Sequence, residues 1–148
     1  MSRKVKVLFL CTANASRSQM AEGWARHLRG DAIEAYSAGV DPRGVNPLAV
    51  KVMAEVGVDI SKQRSKHVNE LTRTPFDFVV TLCDQAQEAC PVFPGGGTVV
   101  HVGFDDPYML TQGVQDEGKR LKEYRRVRDE IRDFVESLPA ALEFARGA

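Results

Sequence analysis

Cysteine is scarce here. Three residues, an odd number, cannot form a paired disulfide framework of the kind that staples small secreted domains. Net charge is absent, because 20 Lys and Arg balance 20 Asp and Glu. That balance gives no whole-molecule attraction to nucleic acid or anionic lipid, so neither is expected as a partner. An anion would have to be held by a local arrangement. No apolar run approaches the roughly 18 residues needed to span a bilayer. The N-terminus imitates a leader, with Arg3, Lys4 and Lys6 before Val7-Leu8-Phe9-Leu10, but that run is shorter than an export core of about 7–15 residues. A buried first strand accounts for it, and the cytoplasm is the expected compartment. Repeats, low-complexity tracts and Ser/Pro linkers are missing, and Gly95-Gly96-Gly97 reads as a surface turn. Residues 1–148 are therefore read as one domain, and a monomer is expected.

What is present alternates between two periodicities. Val5 to Leu10 is nearly continuously apolar, as for a strand covered on both faces. A helix starts near Ser18, with Met20, Ala21, Trp24, Ala25 and Leu28 on one face. Ile33 to Ser37 is a second strand. Asn46-Pro47 is an N-cap with proline at the first helical position, Leu48, Ala49, Val52, Met53 and Val56 form that helix's inner face, and Gly57 ends it. Strands are expected at Phe76–Leu82 and Thr98–Val102. A long helix runs from Glu117 to about Ser137, with Leu121, Tyr124, Val127, Ile131, Phe134 and Leu138 inward, and Pro139 ends or kinks it. Strands alternating with helices imply an α/β fold with a parallel sheet and right-handed crossovers. Ligands in such sheets bind outside the carboxyl ends of the strands. Three segments lie there, and they carry Cys11, Cys83 and the Asp105-Asp106 pair.

Cys11-Thr12-Ala13-Asn14-Ala15-Ser16-Arg17-Ser18 joins the first strand to the first helix. Its middle residues are small, so the backbone can curl and aim its N–H groups inward. Such a ring at a helix N-terminus binds a tetrahedral oxyanion without net charge. Arg17 adds a planar fork for two oxyanion oxygens. The same N–H groups would stabilise a thiolate at Cys11, lowering its pKa from the free value near 8.5, and Ser18 could donate to the sulfur. The competing reading is a cysteine that packs at a strand end beside a solvated arginine. A bare Cys-x5-Arg spacing would favour that reading; the preceding strand, following helix and small intervening residues favour the anion cradle.

This stretch resembles the phosphate-binding loop of the low-molecular-weight protein tyrosine phosphatases and of the arsenate reductases that share their fold. The resemblance implies a four-stranded parallel sheet with helices on both sides in three layers, Cys11 as nucleophile, and residues Thr12 to Ser18 as the oxyanion cradle with Arg17 as clamp. Arsenate and phosphate have nearly the same shape, so the cradle alone does not separate the activities. A phosphatase needs one thiolate and one acid. A reductase must find two electrons, so a second thiol attacks the first and a third can carry the disulfide to a donor. Val80-Thr81-Leu82-Cys83 followed by Cys90-Pro91 fits that need. If the segment between them is helical, its rise of about 1.5 Å per residue holds the two sulfurs roughly 10 Å apart. It must then unwind for a disulfide to form. The pair read instead as buried thiols would be inert. Read as a metal site it lacks four ligands, with His101 the only nearby histidine, so no metal and no cofactor are expected.

The whole pattern closely resembles the thioredoxin-coupled arsenate reductases. Tyr36-Ser37-Ala38-Gly39-Val40, Gly103-Phe104-Asp105-Asp106-Pro107 and Arg126-Val127-Arg128-Asp129-Glu130-Ile131 agree with it. The resemblance implies arsenate as substrate, thioredoxin as reductant, and Asp106 as general acid, with Asp105 a neighbouring carboxylate able to raise its pKa. An Asp-Asp-Pro turn with only local backbone bonds is the plainer alternative for that stretch. Some members bind potassium through positions matching Asn14, Glu22 and Ser37 plus an aspartate. Lys66 stands at the aspartate's place, and its ammonium is expected to replace the ion and pair with Glu22. His27, His67 and His101 are dispersed and read as structural or surface residues. Two other functions compete: a phosphatase for aryl phosphates or phosphotyrosine, for which Tyr108 could pack against a phenyl ring, and a non-catalytic oxyanion or redox-sensing module.

Overall fold

A computed structural model describes residues 3–84 and 89–147. Four strands, β1 (Val5–Leu10), β2 (Ile33–Ala38), β3 (Phe78–Thr81) and β4 (Thr98–His101), form one sheet in the order β2-β1-β3-β4. Every pairing is parallel. Val5 lies opposite Ile33, Val7 opposite Phe78, and Phe78 opposite Thr98. The helices are α1 (Arg17–Arg29), α2 (Pro47–Glu55), the short α3 (Pro107–Leu110), α4 (Glu117–Glu136) and α5 (Ala140–Gly147), with a 3-10 turn at Val68–Leu71.

The central strand explains the two-sided core. Val7 and Phe9 of β1 and Phe78 and Val80 of β3 point to one face, where Met20, Trp24, Met53, Tyr124, Val127, Ile131 and Val135 cover them. Leu8, Leu10 and Val79 point to the other, against Val68, Phe76 and Phe93. Alternation along a strand with both faces apolar is what a buried parallel strand requires. The two covers are unequal. α1 and α4 pack on the first face, whereas the 3-10 turn and the loops holding Phe76 and Phe93 close the second. There Phe76 meets Tyr36 and Phe93 edge-on at centroid distances of 5.2 and 5.5 Å, a favoured aromatic geometry.

Most expected elements occur within a residue or two of their expected limits. The Asn46 cap forms, its side chain accepting from the Leu48 N–H at 2.8 Å. Three features differ. β3 stops short of the Phe76–Leu82 run, because Phe76 turns to the second core and Leu82 has left the ladder, although its N–H still bonds the Leu10 carbonyl at 2.9 Å. In α4 the fully buried position is Val135, while Phe134 is partly buried and packs beside Phe104. Beyond Pro139 the chain does not trail away but forms α5, which buries Leu142 in the first core.

Candidate active site

The site lies at the carboxyl edge of the sheet, where β1 and β3 end side by side with Leu10 opposite Thr81. The loop 11–16 leaves β1 there and runs into α1. Its carbonyls are held from outside. Thr12 O accepts from the N–H groups of Val40 and Asp41, both at 2.9 Å, Ala13 O from Arg43 N and Ser65 Oγ at 3.1 and 3.2 Å, and Ala15 O from Asn46 N at 2.9 Å. Asn14 O accepts from Gln19 Nε2 at 3.0 Å. A trans peptide unit sets its N–H opposite its C=O. Turning these carbonyls outward therefore turns the N–H groups of Ala13, Asn14, Ala15 and Ser16 inward. The curl requires two special backbones. Asn14 is left-handed at φ 48°, a conformation asparagine tolerates better than most residues. Gly39 lies so close that a β-carbon on it would stand 2.5 Å from Thr12 O and 2.8 Å from Cys11 O.

Cys11 is a buried free thiol, 2% exposed. Its Sγ is 2.9 Å from Ser18 Oγ. Asn14 Nδ2 donates to that same Ser18 oxygen at 2.7 Å, while Asn14 Oδ1 accepts from Lys66 N at 2.9 Å. Because Nδ2 can only donate, the Ser18 hydroxyl accepts from Asn14 and keeps its proton and one lone pair for the sulfur; it accepts from a thiol or donates to it, and toward a thiolate it can only donate. The Thr12 hydroxyl is buried without a partner among the described residues.

Arg17 is 3% exposed. Its guanidinium donates to Phe104 O at 3.2 Å and Leu82 O at 3.4 Å, and Nη2 faces Asp106 Oδ2 at 3.4 Å. Arg17 is thus tied to the segments that follow β3 and β4. Asp106 caps α3, with Oδ1 accepting from Tyr108 N at 3.0 Å, which leaves Oδ2 toward Arg17. Asp105 does not stand as a bare neighbouring carboxylate. It pairs with Arg126 at 2.9 Å; partial burial lowers that guanidinium's pKa, but hydrogen bonds with Glu123, Glu130 and Asp105 outweigh it and hold the pKa above the usual arginine range. Tyr108 is exposed beside the cap.

Cys83 and Cys90 are joined as a disulfide, with Cα atoms 5.6 Å apart, inside the ordinary range of about 4.4–6.8 Å. Cys83 is fully buried and Cys90 partly so. The expected helix-to-loop change falls chiefly on residues 85–88, outside the described residues. His101, expected to be a structural or surface residue, stands against the pair. Nδ1 is 2.8 Å from Thr81 Oγ1 and 3.9 Å from Cys90 Sγ. The ligand atoms of Cys83, Cys90 and His101 lie within 4.8 Å of one another. Sulfurs tied in a disulfide offer no thiolate to a metal, so in this state the cluster is a redox one.

Beside the loop, buried Glu22 accepts from Ser37 Oγ at 2.5 Å and pairs with Arg26 at 2.8 Å. Lys66 Nζ stands 3.9 Å from Glu22 and donates to Arg64 O at 2.9 Å. Burial pushes the Lys66 ammonium below its usual range, and Glu22 opposes that shift. The four residues Asn14, Glu22, Ser37 and Lys66 thus gather as expected, with the Lys66 ammonium facing Glu22. A potassium ion does not fit beside that ammonium.

Sequence reasoning passed over Gln19, Ser65 and the structural demand on Gly39. Only the Tyr36–Val40 stretch carried a signal for the last. Ser65 acts on the Ala13 carbonyl from 52 residues away, which no local pattern reveals, and Gln19 reaches back five residues to Asn14 O only because the loop curls.

The chain is similar to known proteins in sequence and in fold. The profile of the low molecular weight phosphotyrosine protein phosphatases matches residues 6–146. An arsenate reductase of Halalkalibacterium halodurans is 48% identical over 131 residues, which is 88% of this chain and 91% of that protein. A solved arsenate reductase in its phosphate-binding state superposes with a TM-score of 0.74 at 32% identity, covering 93% of this chain and 98% of the other. The thioredoxin-dependent arsenate reductase of Corynebacterium glutamicum gives 0.64 at 27% identity, covering 95% and 64%. By the span of the profile and the identity to these relatives, the chain belongs to the low molecular weight phosphotyrosine protein phosphatase family, in the part of it that includes arsenate reductases.

Proposed function

We propose that the protein reduces arsenate to arsenite through Cys11, Cys83 and Cys90. The observation that carries this reading is a free thiol in the anion cradle together with a disulfide on the same rim. Arsenate sits among the inward N–H groups of residues 12–18 under the Arg17 fork. The Cys11 thiolate attacks arsenic, and Asp106 gives its proton to the departing oxygen, which leaves as water. Cys83 then attacks Cys11 Sγ. The S–S bond forms, the S–As bond breaks with its electron pair going to arsenic, and arsenite departs. Cys90 attacks Cys83, freeing Cys11 and leaving the Cys83–Cys90 disulfide. A dithiol donor restores the pair, and thioredoxin suits this task because the final disulfide lies within one chain with Cys90 partly exposed.

Residues 1–148 would act as one domain, a monomer in the cytoplasm. No helix among the described residues is long and apolar enough to cross a membrane. The deciding experiment is arsenate turnover with thioredoxin, thioredoxin reductase and NADPH, compared with glutathione plus glutaredoxin. Turnover is expected in the first system; turnover confined to the second would reject thioredoxin, and none in either would reject the reductase reading.

Phosphate-ester cleavage is a second reading, as a side activity. The cradle and Asp106 suit both reactions, and the exposed Tyr108 ring beside Asp106 offers a surface to an aryl group. Slow hydrolysis of p-nitrophenyl phosphate that disappears in Cys11→Ser is the expected result.

A further inference from the structure

We infer that His101 is a catalytic residue of thiol–disulfide exchange at Cys83–Cys90, carrying the proton to and from the two sulfurs. Four observations support it. Nδ1 is 3.9 Å from Cys90 Sγ, and the Cys83 sulfur belongs to the same cluster within 4.8 Å. Thr81 Oγ1 holds Nδ1 at 2.8 Å, and a hydroxyl both donates and accepts, so it can keep the ring in place whether or not Nδ1 carries a proton. On the other side Gly103 makes room, since a β-carbon there would stand 3.3 Å from Nε2. His101 itself is exposed on β4, so its ring can trade protons with water. Imidazole is the side chain suited to proton exchange near neutral pH.

The chemistry balances. In recycling, a donor thiolate attacks the accessible Cys90 sulfur. A mixed disulfide forms, the Cys83–Cys90 bond breaks, and Cys83 leaves as a thiolate that takes a proton from imidazolium His101. The donor's second thiolate then attacks the donor sulfur of the mixed disulfide. The donor leaves oxidised, Cys90 departs as a thiolate, and His101, reprotonated from water, supplies its proton. Two electrons pass from the donor to the protein. In the forward direction, which rests on the relay proposed above, His101 takes the Cys90 proton as that sulfur attacks Cys83 and Cys11 leaves as the thiolate. Thiolates, not thiols, are the nucleophiles in both directions.

The test starts from the oxidised protein and contains no arsenate, so it stands apart from whether Cys11 feeds the pair. The rate at which dithiothreitol reduces Cys83–Cys90 is measured by mass after rapid alkylation, in wild type, His101→Gln and His101→Gly, the last with and without added imidazole. Both variants are expected to be slower by about tenfold or more, within reach of the 10²–10⁴ typical of positioned acid–base groups. Imidazole should restore part of the His101→Gly rate, and p-nitrophenyl phosphate cleavage should be unchanged. Wild-type rates in both variants overturn the inference. So does a slow His101→Gly that imidazole leaves slow, since the residue would then serve packing alone. Normal reduction of the disulfide with no arsenate turnover in wild type would sink the relay and leave His101's role standing.

Discussion

Ser18 Oγ lies 2.9 Å from Cys11 Sγ, and Asn14 Nδ2 donates to the same oxygen at 2.7 Å. A thiolate at Cys11 can only accept, so toward it the Ser18 hydroxyl donates. A hydrogen bond to a charged group contributes about 1.5–3 kcal/mol, and 1.4 kcal/mol is a factor of ten. Ser18→Ala should slow iodoacetamide alkylation of Cys11 at neutral pH by at least about tenfold. Ser18→Cys, which keeps a weak donor, should fall between. Equal rates in wild type and Ser18→Ala would show that the hydroxyl leaves the nucleophile unaffected.

Gly39 is the backbone counterpart of that side-chain chain. A methyl group there meets Thr12 O, Cys11 O and Asn14 N, all within 2.9 Å and all backbone. Backbone cannot swing aside as a flexible side chain can, so the loop must open. Gly39→Ala is expected to lower stability by about 3 kcal/mol, at the upper end for overpacking, and to remove the activity of the folded fraction. Thermal melting combined with activity per folded molecule checks both. A stable, active Gly39→Ala protein would mean that the tight curl is dispensable.

The contrast between these residues explains what the sequence disclosed. The Cys11–Ser18 run announced its strand, its curl and its helix because all three are local, with one periodicity giving way to another across small residues. β1 and α4 were plain for the same reason. The placement of His101 against Cys90 was not, since it depends on Thr81 and His101 being paired across β3 and β4. Arg126 neutralising Asp105 depends likewise on α4 crossing the rim. Helix α5 was hidden behind Pro139, which marks a break in one helix but says nothing about the next. Lys66 was legible only because a resemblance supplied the residue it replaces; spacing alone gave no reason to bring it to Glu22.

That ammonium leads to a prediction about ions. Glu22 already meets Arg26, Lys66 and Ser37, so a potassium ion among Asn14, Glu22 and Ser37 would face a positive charge. Exchanging sodium for potassium at constant ionic strength should leave turnover unchanged. Lys66→Asp removes the ammonium and adds an anionic ligand, and should make the enzyme respond to potassium. Strong potassium-specific activation of the wild type would reject the substitution of one cation by the other.

The sulfurs can be separated by function. Cys11→Ser should abolish arsenate reduction and ester cleavage together, because both begin with its attack. Cys83→Ser and Cys90→Ser should stop multiple turnover of arsenate yet spare ester cleavage, since Cys83 and Cys90 do not belong to the cradle. In Cys90→Ser the oxidising equivalents should halt as a Cys11–Cys83 disulfide, visible by mass after alkylation. Full arsenate turnover by Cys83→Ser would overturn the relay.

Acid should loosen the contact between α2 and α4 in a way one variant can isolate. Glu55 at the end of α2 accepts from Nε and Nη2 of Arg125, at 2.9 and 2.7 Å, and from Arg128 Nη1 at 3.0 Å. Hydrogen bonding by Arg125, more than any other favourable influence, holds its carboxyl below the usual range. A depressed acid contributes stability that is present above its unfolded value, near 4.3, and is lost as pH falls through the lower folded value. The side chain is 33% exposed, so solvent screening limits the contribution to about 0.5–1 kcal/mol. Glu55→Gln should therefore melt a few degrees below wild type at pH 7, by about 2–4 °C per kcal/mol for a chain of this size. The gap should close progressively below about pH 4, where the wild-type carboxyl gains a proton. High salt should narrow it at neutral pH. A gap that stays constant down to pH 3 would assign the loss to packing or hydrogen-bond geometry rather than charge.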